Sequence, residues 1–529
     1  MSASKATAAN RFGLGARPGE LERGGSDGRE ALLAQLRRPP TLDAFAALPG
    51  SLETMRLEYR QQQLNRAGRA QRAQAAPAAG DAAAMAPEAT SDAAVPNQAG
   101  PMAEAPDMAA PAAARNRRRA RLAATNETAA SETAAAAPAA RAATDPADDL
   151  RRELRRQQLT EFAARYRHAA ATDAPFVERL TQFWSNHFAV SIDKGNARLY
   201  AGSMEREAIR PHVLGRFQDM LLAVESHPAM LRYLDNAASI GDDSRAAMRA
   251  QQLGREKRGL NENLAREILE LHTLGVDGGY RQDDVIELAR AITGWSTPGP
   301  RDEDAAQPFV FRANAHEPGA RRVLGRNYAE GGQEQGRAVL ADLARHPATA
   351  RHLSFKLARH FVADQPPPAL VERMAQAYLR EDGDLRALYR ALIDSEQAWS
   401  ADARKFKTPN DFVISALRAG ELAVADQARA LVGLLASLGQ PVFTPRSPAG
   451  FPDTAADWSS PDGLFKRIQA AQMFAARVDS GSVTPYQRAL EVLGSQAVSG
   501  DFAIGLRRAG SASDGYSLLF ASPAFQWRV

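Results

Sequence analysis

Between Asn261 and Trp295 the chain reads NENLAREILELHTLGVDGGYRQDDVIELARAITGW, and no other stretch narrows the fold as far. Leu264, Ile268 and Leu271 recur at helical spacing, as do Val285, Leu288 and Ile292, so two amphipathic helices are predicted on either side of a glycine turn. Each has an apolar stripe to bury, which calls for further helices packed against it. Asn263, Glu267 and Glu270 fall at i, i+4 and i+7, a polar face flanking the first apolar seam. A site can be built on such a face, and so can an ordinary hydrogen-bond network with Arg266.

The helical period recurs over most of the chain. Short helices are predicted within residues 8–65, and longer ones in DDLRRELRRQQLTEFAARYRHAA, FVERLTQFWSNHFAV and EREAIRPHVLGRFQDMLLAVESHPAMLRYLDN. Pro211 and Pro228 suit first-turn positions. FVFRAN reads as a short strand, and helices return from about residue 330. The 440–462 stretch, rich in Pro, Gly and Asp, is a long loop of the kind that is functional or packed as an Ω-loop. Residues 74–147 differ: this Ala- and Pro-rich stretch has too little apolar area to offset its chain entropy and is predicted disordered. Its RNRRRAR cluster reads as a solvated charge run. The expected organisation is therefore mainly α: a large multi-helix domain with long loops and at most a few short strands. Residues 1–73 form its N-terminal part, 74–147 an insertion, and 148–529 the main helical domain.

Several chemistries are excluded. The chain has no cysteine, which removes disulfides, thiolate nucleophiles and Cys-ligated metals. A net charge of +4, from 66 basic and 62 acidic residues, gives no concentrated footprint for nucleic acid. There is no Walker loop, GxGxxG, GxSxG or HExxH. No apolar run approaches the roughly 20 residues of a transmembrane helix, and the N-terminus has no signal-type apolar core. The expectation is a soluble cytoplasmic protein that would need a partner's signal to be exported.

Glu267, Glu270 and His272 are candidate ligands for a divalent metal, with His316 as a further donor. In a regular helix Glu270 and His272 point about 200° apart, so they cannot share an ion unless the helix ends there. As catalytic groups, Asn263, Arg266, Glu267 and Glu270 are joined by His187, which is otherwise a core histidine beside Phe183 and Trp184. Gly275 and Gly279 supply left-handed turn positions; the loop lacks the oxygen pattern of a calcium site. Asp283, Glu287 and Arg290 read as an ion-pair stripe, and His212, His227, His346, His352 and His360 as helix-surface or cap residues.

RFGLGARPGE, FWSNHFAVS, HPAMLRYLDN, the 261–295 unit, HEPG with the following LG, KLARHFV and LLFASPAFQWR together resemble the bacterial domain-of-unknown-function 1800 family, over nearly all of the ordered chain. The resemblance implies a helical fold and no established reaction. It also implies a frequent genomic neighbour, a sulfatase- or phosphatase-like exported protein of unknown-function family 1501. Arg281 stands where the family pattern has a capping Thr or Ser. Two functions remain open: an enzyme with its site between the 176–189 helix and the 262–294 pair, or a non-catalytic helical scaffold or partner of the sulfatase-like protein. The enzyme reading requires Glu267, Glu270 and a histidine to converge in a pocket that solvent can reach.

Overall fold

A computed structural model of the chain describes residues 4–23, 27–75, 145–254, 259–300, 302, 305–424, 428–479, 481 and 483–528. Most of the segment expected as an insertion, residues 76–144, lies outside them. The chain divides into two compact units, one of Met1–Gln62 with Leu150–Val529 and one of Gln63–Asp149. What is described of the second unit is helical, belonging to the helices Ser51–Ala75 and Pro146–Ala171.

Helices make up most of the first unit, as its periodicity predicts. Its strands are minimal antiparallel pairs: Trp295–Ser296 with Val310–Phe311, Arg321–Val323 with Arg326–Tyr328, and Lys405–Phe406 with Trp527–Arg528. The FVFRAN run thus contributes two strand residues. Pro228 opens its helix as expected, whereas Pro211 sits in the short 3-10 turn Arg210–His212. Among the described residues, no helix is long and apolar enough to cross a membrane.

Six helices frame the buried polar groups of this unit: α1 (Pro175–His187), α2 (Phe217–Glu225), α3 (Asn263–Glu267), α4 (Gln282–Ala291), α5 (Pro347–Phe361) and α6 (Pro409–Ala419). α3 runs on into a π turn, Ile268–His272. Phe176, Leu180 and Trp184 of α1 pack with Phe217, Leu264, Ile268, Leu288 and Phe361 in one core; Phe412 of α6 packs with Phe474, Tyr516 and Phe520 in another. α1 is unusual because its polar side is buried as well: Arg179, Gln182 and His187 are all removed from solvent. Buried polar groups need partners, so the surroundings of that side are where a site should be sought.

The segment 11–15 is tied into α1, α6 and the short helix Glu396–Trp399. Arg11 donates to the Ala398 carbonyl at 2.7 Å, Ser415 to the Leu14 carbonyl at 2.9 Å, and Arg418 Nε to the Gly15 carbonyl at 2.7 Å. Arg179 Nε of α1 donates to the Gly13 carbonyl.

Candidate functional site

α1, α5, the start of α6 and the 440–453 loop enclose a cavity of about 220 Å³. Leu353, Leu357 and Phe361 anchor α5 in the core, and the helical period then sets Lys356 and His360, one turn apart, on the cavity wall with Arg359 beside them. On α1, Arg179, Gln182 and Asn186 form a matching polar stripe at i, i+3 and i+7.

The loop is fastened to α1 through its backbone. Asn186 Oδ1 accepts from Phe451 N at 2.8 Å, and its amide donates back to Phe451 O at 2.9 Å. Gly450 makes this approach feasible: it sits at φ +86°, and a Cβ there would lie 2.3 Å from the Asn186 carbonyl oxygen. The loop then delivers Asp453, whose Oδ2 lies 2.9 Å from His360 Nδ1. Lys405, buried behind it, donates to the Asp453 carbonyl at 2.5 Å and pairs with Asp364.

At the start of α6, Asp411 closes a capping box with Thr408 and also receives two guanidiniums. Arg179 donates to its Oδ1 at 2.9 Å, and Arg528 to its Oδ2. Arg528 also donates to the His360 carbonyl at 2.7 Å, which links the acid to α5.

These contacts set the charge states. Burial raises Asp411, but Arg179 and Arg528 outweigh it and hold its carboxyl well below the usual range. Asp453 is likewise raised by burial and lowered further by His360 and Lys405. Burial lowers His360, with Asp453 opposing, and lowers His187 well below its ordinary value, with Lys356 adding to the effect. His352 falls to about 4 through burial and the nearby Lys356. Lys356 itself is lowered to about 8 by burial, only partly offset by Asp453. It lies deep in the fold yet keeps accessible surface because the cavity opens onto it. Among the described residues, Lys356 makes no hydrogen bond or ion pair, and Arg359 makes no ion pair while its buried Nε lacks a partner.

The expected site on the 262–294 pair is arranged differently from this cavity. Arg266 donates to Glu262 at 3.1 Å and Gln282 at 2.8 Å, and Glu270 accepts from Tyr280 Oη at 3.1 Å. Asn263 is exposed, its N–H capped by Asn261. Glu267 is half-buried, and burial raises its carboxyl while His272 opposes the shift. The π turn is sealed by Leu274 N–H reaching Leu269 O, five residues back, and by Thr273 Oγ1 donating to Ile268 O at 2.6 Å. It turns His272 inward, where Nδ1 lies 2.8 Å from Glu225 Oε1 at the end of α2, both side chains fully buried. The contact is not aligned for a hydrogen bond: both ring nitrogens and both carboxylate oxygens lack a partner.

His187 bridges the two regions. It lines the cavity, its Nε2 lies 3.1 Å from the His272 carbonyl oxygen, and its Nδ1 has no partner. His316 is held by the Thr293 carbonyl at 3.0 Å and packs on Phe311. Among the described residues, no group of three or more His, Asp or Glu side chains is placed to hold one metal ion.

Elsewhere the 262–294 pair matches its sequence. Gly275 and Gly279 both adopt φ +87°, and Arg290 pairs with Glu287 at 2.7 Å. At the Arg281 position, Asp284 takes up the capping role alone, accepting from Arg281 N at 2.8 Å and from Leu324 N at 2.7 Å. His227 and His346 cap helices as expected. His352 and His360, expected at the surface or as caps, face inward, because the π turn covers one and the 440–453 loop the other. Lys356, Arg359, His360, Asp411 and Asp453 were not singled out by spacing, although Lys356 and His360 at i, i+4 and the long loop were visible signals.

The family described as "Protein of unknown function (DUF1800)" matches residues 7–527, and the chain belongs to it. No curated protein and no solved structure matches the chain.

Proposed function

We propose that this member of the DUF1800 family is an enzyme acting on a small anionic molecule held in the cavity between α1, α5 and the 440–453 loop. One observation carries the reading: Lys356 and Arg359, two cations without ion-pair partners, share the wall of one cavity. An unpaired charge deep in a fold is costly, and such a cost is commonly retained where the group is used. Arg359 suits a carboxylate or phosphate. His360, oriented through Nδ1 by Asp453, keeps Nε2 for proton transfer. In this reading the 262–294 pair supports the site through His272 and its contact with His187.

The test compares wild type with Lys356→Met and Arg359→Ala by thermal shift against a panel of small carboxylates and phosphate esters. At least one ligand should stabilise the wild type and neither variant, and Lys356→Met without ligand should melt higher than wild type. If no panel ligand discriminates and Lys356→Met melts lower, Lys356 is structural and the reading fails.

Two other readings each have one observation in their favour. A divalent metal on the Glu267–Glu270 face is favoured by the nearness of these two acids, whose mutual repulsion a cation would relieve. A scaffold role beside a sulfatase-like partner of family 1501 is favoured by Leu464, Phe465 and Ile468, exposed along the helix Pro461–Ala475. Phe465→Glu should then abolish co-purification with that partner while leaving the fold intact.

A further inference from the structure

We infer that Lys356 captures its substrate covalently: the cavity takes a small oxo acid, whose carbonyl carbon Lys356 Nζ binds as an imine while Arg359 holds the carboxylate. This rests on the proposed enzyme reading and deepens it to a substrate class and a bond. Three features of the cavity carry it.

The first is that Nζ is uncommitted. The acid nearest in charge, Asp453, is already engaged by His360 and by Lys405, 3.6 Å away, so among the described residues no carboxylate forms an ion pair with Lys356. The charged and titratable groups around it are His352 and Arg359 of its own helix, His187 of α1 and Asp453 of the loop. Of these, only Asp453 favours the ammonium. The free amine, the form that attacks a carbonyl, is therefore populated near neutral pH.

The second is the spacing along α5. Arg359 lies three residues from Lys356 and His360 four, so both flank it on neighbouring turns. An oxo acid carries its carbonyl next to its carboxylate, which matches an amine beside a guanidinium. The third is size: at about 220 Å³, the cavity is below the roughly 300–1,000 Å³ of drug-sized sites and suits a molecule of a few carbons.

The step balances without any added oxidant or reductant. The Nζ lone pair forms the C–N bond as the carbonyl π pair moves to oxygen, giving a carbinolamine. The C–O bond then breaks, and the two protons lost from nitrogen leave with that oxygen as water. His360 can take each proton from nitrogen and return it to oxygen, ending in its starting state.

The experiment is reductive trapping on the full chain, with glyoxylate and pyruvate as probes and cyanoborohydride to reduce the imine, read by peptide mass. The chain has seven lysines, so assignment is direct. At pH 8, adduct on Lys356 should exceed that on any other lysine by about tenfold, since an ordinary lysine is almost wholly protonated there. Lys407 is the internal control: burial lowers it further, to about 7, but it does not line the cavity. Adduct on Lys407 rather than Lys356 would mean that amine basicity alone directs the reaction, and would overturn the inference. Lys356→Arg keeps a cation in place and should lose the adduct, and Lys356→Met should lose it too. If either oxo acid stabilises the wild type through Arg359 but leaves no adduct, the imine is wrong and the enzyme reading stands. If neither binds nor forms an adduct, the oxo-acid inference falls; the enzyme reading then rests on the wider ligand panel.

Discussion

Nδ1 of His360 lies 2.9 Å from Oδ2 of Asp453, a contact that joins α5 to a residue 93 positions later in a proline-rich loop. It is the loop's side-chain link to α5, separate from the Asn186 clasp that ties Phe451 to α1. Asp453→Ala should therefore free its side chain from α5 and leave Lys405 with Asp364 as its one remaining acidic partner among the described residues. We expect a loss of about 2–3 kcal/mol in urea unfolding, near the lower end for breaking a buried charged contact. A loss below about 0.5 kcal/mol, within the range of an ordinary surface change, would show that the contact does not hold the loop.

Asp411→Asn should cost more, about 3–5 kcal/mol, because Arg179 and Arg528 both lose their anionic partner inside the protein. The sign of the pH effect comes from the depressed carboxyl. Its stabilisation is present above the unfolded value near 4 and is lost as pH falls towards its lower folded value. Melting temperature measured from pH 6 down to pH 3 should fall more steeply for wild type than for Asp411→Asn. Parallel curves would remove Asp411 as a source of acid sensitivity.

Gly450→Ala forces a Cβ against the Asn186 carbonyl at a left-handed backbone position. The expected cost is about 1–3 kcal/mol, with faster protease cleavage in the 440–453 loop. Asn186→Ala should accelerate cleavage at the same place by removing both bonds to Phe451. Cleavage elsewhere in either variant would mean that the loop is not secured by this clasp.

Elemental analysis of native protein purified without chelator tests the metal reading. A stoichiometric divalent ion that disappears in Glu267→Gln would support ligation by the 262–294 face. Absence in the wild type, or unchanged content in the variant, would remove it.

Lys356 gives a separate pH signature. Its folded value, about 8, lies below the ordinary lysine value of 10.5, so the cost of its charge is full below pH 8 and is relieved as pH rises towards 10. The stability gap between wild type and Lys356→Met should close over that window in denaturant unfolding. A gap independent of pH would place the effect of the substitution in packing rather than charge.

The helices, the glycine turn and the apolar seams around Leu264, Ile268 and Val285 were legible because periodicity reports one-sided burial directly. The position of His272 was not: a regular helix sets it opposite Glu270, and the π turn, which local spacing does not encode, carries it to Glu225. The cavity was hidden for another reason. Lys356, Arg359 and His360 look like a solvated face when α5 is read alone, and only the 440–453 loop and α1 cover them. Asp411 and Asp453 read as a cap and a loop acid, which they are, but their second partners come from segments far away in sequence.

The anchoring of residues 11–15 bears on the order in which the protein is assembled. Arg11 and Gly15 find their partners 387 and 403 residues further along, so the 11–15 segment can meet Arg179 and Phe176 of α1 early but is not fully anchored until Ala398 and Arg418 have been made. Such remote pairing slows folding and delays the complete burial of apolar residues such as Phe12 and Leu14. During synthesis, a chaperone would have the interval between those two stages in which to act on this segment.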